Sequence, residues 1–191
     1  MRHIAIIGTG YVGLVSGSGI SDFGHKVICA DIAEEKIKML QTGKMPIYEP
    51  GLDELVDRNT KAERLSFSTD VGKTIRDSEV IFIAVSTPQS ENGEADISAV
   101  TAVAKTIGQN LNNRKVVCTK STVPIGTGKL VTSIINENNP EKMEFDYVSN
   151  PEFLREGSAV KDFLWPDRLV IGTESEWGFE VIRDVCRPLY I

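Results

Sequence analysis

A chain of 191 residues, 41% hydrophobic and 25% charged, has the composition of a soluble globular protein and the length of one α/β domain with a trailing segment. It holds no run of about 18 apolar residues that would suggest a membrane span, and its first eight residues do not read as a signal peptide, so the cytoplasm is the expected location. The net charge of −6 argues against a nucleic-acid surface, and three widely spaced cysteines (Cys29, Cys118, Cys186) support neither a disulfide framework nor a metal site.

Apolar, β-branched runs at 3–8, 26–31, 65–68, 80–84, 115–119, 145–148 and 169–172 alternate with helix-like segments at 11–23, 34–41, 52–58, 71–76, 98–111, 128–136 and 177–186. This alternation predicts an α/β fold: a doubly wound, mainly parallel Rossmann sheet with extra C-terminal strands, the whole of 1–191 forming one dinucleotide-binding domain. Cys29 and Cys118 fall in apparent strands and are expected as core thiols. Right-handed crossovers bring the carboxyl ends of parallel strands to one edge, where ligands bind. The unusual residues collect there: GTGYVG at 8–13, Asp31, VSTP at 85–88, KSTVPIG at 120–126 and NPEFLREG at 150–157. GKMPIYEPG at 43–51 reads as a loop, and the polar tract QSENGE at 89–94 as an exposed excursion.

A glycine fingerprint alone is weak, but this one follows a predicted strand, opens a helix and precedes a second strand ending in an acid. Gly8 permits the tight turn, Gly10 lets backbone approach a pyrophosphate, and Gly13 lets the helix pack closely on the sheet. Asp31 lies 18 positions beyond Gly13, near the spacing of about 20 expected for a carboxylate that binds the adenosine ribose. No arginine follows at once to hold a 2′-phosphate, so NAD is the expected cofactor. Tyr11 and Val12, in the same turn, and Ser86, in the VSTP loop, complete the expected cofactor lining, while Lys36 is either a ribose contact or a solvated helix-surface lysine. Gly17 and Gly19, inside the first helix, are expected to allow close helix-on-sheet packing. Gly126-Thr127-Gly128-Lys129 lacks the spacer of a phosphate loop and reads as a turn before a helix.

Together the stretches GTGYVGL (8–14), YEPGL (48–52), VSTP (85–88), KSTVPIGT (120–127) and NPEFLREGSAVKDFLWPDRLVIG (150–172) resemble the UDP-glucose/GDP-mannose dehydrogenase family over essentially the whole chain. Pro166-Asp167-Arg168 looks closer to the UDP-glucose branch of that family. The resemblance implies two-step, NAD-dependent oxidation of a sugar 6-hydroxyl, UDP-glucose to UDP-glucuronate, through a cysteine-bound thioester in a homodimeric parent enzyme. It also implies that Val12, Asp31, Lys36, Thr87, Thr122 and Glu156 line the dinucleotide, and that Glu152, Phe153, Leu154 and Arg155 touch the sugar nucleotide.

Elementary chemistry is compatible with these roles. The Thr122 hydroxyl can hold a water, and Glu152 can assist proton removal or water attack. Asn150-Pro151-Glu152 is equally a good helix opening, which would make Glu152 a helix N-terminal charge and put Glu156 one turn later on the same face. Arg155 and Arg168 bring positive charge toward the crevice or form surface ion pairs. The family's nucleophile context, Gly-x-Cys-x-Pro-Lys-Asp, is missing: Cys186 stands in Asp-Val-Cys-Arg-Pro. Full-length relatives are roughly twice as long, with a dimerising helix and a sugar-nucleotide domain, so the expectation is a truncated piece that binds NAD and is inactive alone. Two other readings fit part of the pattern: a dehydrogenase of GDP-mannose or another UDP-sugar, and a non-catalytic dinucleotide sensor.

Overall fold

The computed structural model describes residues 1–91 and 93–190, so Asn92 of the polar excursion and Ile191 lie outside the described residues. Six strands, β1 (His3–Ile7), β2 (Lys26–Ala30), β3 (Leu65–Ser68), β4 (Val80–Ile83), β5 (Lys115–Thr119) and β6 (Phe145–Ser149), lie in the order β3-β2-β1-β4-β5-β6. Every neighbouring pair is parallel. The direction of winding reverses between β1 and β4, which makes their carboxyl ends the switch point of a Rossmann sheet.

The strands are apolar on both faces because helices cover both. Ile4, Ile6, Phe82 and Cys118 enter one core, and their neighbours Ala5, Ile7, Ile81, Ile83 and Val117 enter the other, as the two-residue period of a strand requires. The first core is closed by α1 (Tyr11–Asp22), α2 (Glu34–Gln41), α3 (Leu52–Lys61), α7 (Ala159–Leu164) and α8 (Glu176–Val185). The second is closed by α4 (Val71–Arg76), α5 (Ser98–Asn110) and α6 (Thr127–Glu137). The three cysteines are free and buried.

Helix α1 lies unusually close to its neighbours. A Cβ at Gly17 would stand 2.4 Å from Cys29 Sγ, and one at Gly19 would stand 2.3 Å from two carbons of the Phe163 ring. Gly17 therefore serves the helix-on-sheet packing expected of it, whereas Gly19 serves the contact of α1 with helix α7. At the opposite, amino edge of the sheet, the buried Lys115 donates through Nζ to the Ser78 carbonyl and, at 3.3 Å, to the Arg76 carbonyl. Burial pushes its pKa down to about 8.

At the C-terminal end one expectation fails and one alternative is excluded. The run 169–172 is no strand: only one antiparallel bridge joins Gly172 to Ser149, where each amide meets the other's carbonyl at 2.8 Å. Side-chain bonds replace the ladder, from Asn150 Nδ2 to the Val170 carbonyl and from Thr173 Oγ1 to the Tyr147 carbonyl. Residues 150–158 form no helix either, and α7 begins only at Ala159. Glu152 is thus not a helix N-terminal charge, and Glu156 does not follow it on one helical face.

Candidate functional site

The turn between β1 and α1 is built by glycines with different constraints. Gly8 has φ of 108° and donates to the Ala30 carbonyl at 2.8 Å; a Cβ on it would lie 2.6 Å from the Ala84 carbonyl oxygen. A Cβ on Gly13 would lie 2.0 Å from the Gly8 carbonyl oxygen. Gly10, the N-cap of α1, is different: its φ of −75° suits any residue, and a Cβ there would meet nothing nearer than Ser86 Oγ at 3.9 Å. Helix α1 has no side-chain cap and no acid in its first turn. The amides of Tyr11, Val12 and Gly13 therefore lack the partners an N-terminus needs, and the positive end of the helix dipole stands open.

Asp31 follows β2 beside this turn. Its Oδ2 accepts from the Thr9 amide and the Thr9 hydroxyl, both at 2.7 Å, and its Oδ1 accepts from the Ala33 amide at 3.0 Å. Burial opposes its ionisation, but the bonds from Ala33 and Thr9, together with the Lys36 charge, outweigh it and hold the pKa below the usual value. Of the about four lone-pair positions on a carboxylate, one remains on Oδ1. Lys36 is exposed in the first turn of α2, close enough for its charge to act on Asp31.

The loops after β4 and β5 are laced together. Thr87 Oγ1 donates to the Thr122 carbonyl at 2.8 Å, and Ser121 Oγ donates to the Val85 carbonyl at 2.6 Å. The laces leave Ser86 and Thr122 exposed at the carboxyl edge. Beneath them Lys120 is buried, donating to Asn150 Oδ1 at 3.0 Å. A cavity of about 50 Å³ is lined by Lys120, Glu152, Phe153 and Leu154 among others.

The 150–157 loop takes its irregular shape from distant partners. Asn150 is held by Lys120 and Val170, and Glu152 Oε2 turns back to accept from the Leu154 amide. Leu154 packs on the core, whereas Phe153 is 57% exposed with the Arg168 guanidinium 5.9 Å from its ring centroid. Arg155 pairs with Asp162 at 2.7 Å, and Glu156 is exposed.

Sequence reasoning passed over one residue here. Glu49, read only as part of a loop and of the YEPGL stretch with no role of its own, is buried and accepts from the Tyr11 hydroxyl, from the Gly157 amide at 2.8 Å and from the Ala159 amide at 2.7 Å. Burial opposes its ionisation, but these donors hold its pKa below the usual range, while burial and the Glu49 bond push Tyr11 up to about 12. The usable signal was a lone carboxylate inside a Pro- and Gly-bounded loop. Cys186, by contrast, has a thiol that burial pushes up to about 11, the reverse of an activated nucleophile.

Residues 2–190 match the sequence model described as "UDP-glucose/GDP-mannose dehydrogenase family, NAD binding domain". The chain is 52% identical over 190 residues to the UDP-glucose 6-dehydrogenase TuaD of Bacillus subtilis, covering 100% of this chain and 41% of that protein. It is also 52% identical over 191 residues to a UDP-glucose 6-dehydrogenase of Rhizobium meliloti, covering 98% and 44% respectively. Its fold superposes on a UDP-glucose dehydrogenase structure from Pyrobaculum islandicum with a TM-score of 0.96 at 38% identity, covering 99% of this chain and 44% of the other. A GDP-mannose dehydrogenase ternary complex from Pseudomonas aeruginosa gives 0.94 at 37% identity, covering 98% and 44%. The chain thus spans less than half the length of these relatives.

Proposed function

The chain belongs to the UDP-glucose/GDP-mannose dehydrogenase family as its NAD-binding domain, and from that premise we propose that 1–191 holds NAD for a cytoplasmic, homodimeric enzyme that oxidises the 6-hydroxyl of UDP-glucose to UDP-glucuronate in two steps. One observation carries the cofactor site: the uncapped start of α1, where a Cβ on Gly10 would meet nothing nearer than Ser86 Oγ at 3.9 Å, lies beside an ionised Asp31 that keeps an accepting position. In this reading the amides of Tyr11, Val12 and Gly13 bind the pyrophosphate. Asp31 accepts a hydroxyl of the adenosine ribose and repels a 2′-phosphate, with Lys36 at the same ribose. Ser86, Thr87, Thr122 and Glu156 line the nicotinamide end.

Bound NAD supplies the hydride acceptor, and the chain supplies position. The Thr87 bond to the Thr122 carbonyl holds the backbone that carries the Thr122 hydroxyl, a group that can hold a water. Glu152 to Arg155 meet the sugar nucleotide, and Glu152 takes a proton or steers water once released from the Leu154 amide. The nucleophilic cysteine belongs to sequence beyond these residues, since none of the three thiols here has the required context. Both relatives at 52% identity are UDP-glucose 6-dehydrogenases, which supports UDP-glucose as the sugar nucleotide.

Calorimetric titration with NAD, NADP and UDP-glucose tests the proposal. NAD should bind the 191-residue chain and NADP should bind far more weakly. Turnover should appear only when the chain is extended by the remainder of the relatives' length. Failure to bind NAD, or turnover by the chain alone, refutes it.

A further inference from the structure

Tyr48 is 89% exposed and Pro50 is exposed, yet the side chain of Glu49 between them is turned inward to 3% exposure. Burying a carboxylate is costly unless donors surround it, and here they come from two separate segments. Tyr11 donates from the first residue of α1; the Gly157 and Ala159 amides donate from the turn that ends the 150–157 loop. The Tyr11 hydroxyl is itself shared with that turn, accepting from the Gly157 amide at 3.1 Å and lying 3.2 Å from the Arg155 carbonyl. Tyr11 thus has its backbone amide at the open end of α1 and its side chain in the knot.

We propose that Glu49 is a positioning residue that couples the dinucleotide turn to the loop bearing Glu152 and Glu156, so that cofactor binding at the turn and ordering of the loop favour each other. The inference rests on the dinucleotide reading of that turn. Besides the direct bonds of its own hydroxyl to the Gly157 amide and the Arg155 carbonyl, Glu49 is the side chain that ties Tyr11 to the 155–160 segment in the hydrogen bonds described, and the carboxylate cannot leave one donor without leaving a buried charge partly unpaired. Cofactor that settles the start of α1 therefore settles Tyr11, and through it the amides of Gly157 and Ala159.

Hydrogen exchange of the 191-residue chain, with and without saturating NAD, tests this. NAD should slow exchange at 10–14 and also at 155–160, the latter about tenfold, within the range of ordinary site-to-site coupling. Because coupling is reciprocal, Glu49→Gln should shrink the slowing at 155–160 and raise the Kd for NAD by the factor that is lost, while saturating NAD still slows 10–14. Tyr11→Phe, which removes one oxygen, should give the same pattern and decides the matter if Glu49→Gln does not fold. A merely structural Glu49 would not make the two factors equal. Equal slowing at 155–160 in wild type and variants overturns the inference, as does slowing confined to 10–14 in wild type. Absence of slowing at 10–14 as well overturns the dinucleotide reading itself.

Discussion

Replacing Asp31 with Asn preserves volume but removes the charge and turns one accepting oxygen into a donor. Three protein donors meet this carboxylate: two from Thr9 on Oδ2 and one from Ala33 on Oδ1. Whichever way the amide is turned, at least one of them faces an NH2 group. A hydrogen bond to a charged group contributes about 1.5–3 kcal/mol, so the folded chain should lose about that much stability. The same range applies to a ribose hydroxyl that loses its charged acceptor, which converts to a roughly 10- to 150-fold rise in the Kd for NAD. Discrimination against NADP should shrink, because the repelling charge is gone. Thr9→Val is the control: it removes one of the bonds to Oδ2, at about 1.5–3 kcal/mol of stability, and leaves the charge in place. Calorimetry with both dinucleotides, beside urea unfolding, reads all of this. Wild-type affinity for NAD in folded Asp31→Asn would refute the ribose assignment. Equal weakening by Thr9→Val would refute it too, because the effect would then belong to the shape of the turn.

Gly19→Ala would put a methyl 2.3 Å from the Phe163 ring. Overpacking of this kind costs about 1–3 kcal/mol, and an unchanged or raised Tm would contradict the close α1–α7 contact. Folding lowers the pKa of Lys115 from 10.5 to about 8. Between those values the unfolded chain binds more protons than the folded one, so this group adds stability as pH rises from 8 to 10.5. Lys115→Met should flatten that rise in urea midpoints measured at the two ends, and an identical pH dependence in both proteins would sink the claim. Burial pushes the thiols of Cys29 and Cys186 up to about 12 and about 11 and raises that of Cys118 as well. None should react with an aromatic disulfide reagent at pH 8 until urea unfolds the chain, and rapid labelling of the native protein would disprove their burial.

What could be read from the sequence was whatever local geometry dictates. The glycine turn, its strand and helix, and Asp31 all sit within about thirty residues, and the period of apolar residues marks each element without help from afar. The 150–157 segment reads as a loop, but a helix opening stays open as an alternative because Asn-Pro-Glu is locally suited to one. Its real conformation is imposed by Lys120, Val170 and Glu49, contacts made 20 to 108 residues away in sequence. The run 169–172 has the β-branched content of a strand, but only Gly172 reaches the sheet edge. Glu49 escaped notice for a related reason: nothing within YEPGL says that a carboxylate between two exposed neighbours is turned inward, and its donors lie in other parts of the chain.

The unequal surroundings of the three fingerprint glycines give experimenters a switch. At Gly8 and Gly13 an added carbon collides with the chain's own backbone, so damage there reports on folding. At Gly10 the same carbon would make only an ordinary contact with Ser86 Oγ at 3.9 Å. Alanine at that one position should yield a well-folded, cofactor-blind twin of this chain, a matched blank against which any effect of dinucleotide on the remainder of the enzyme can be measured.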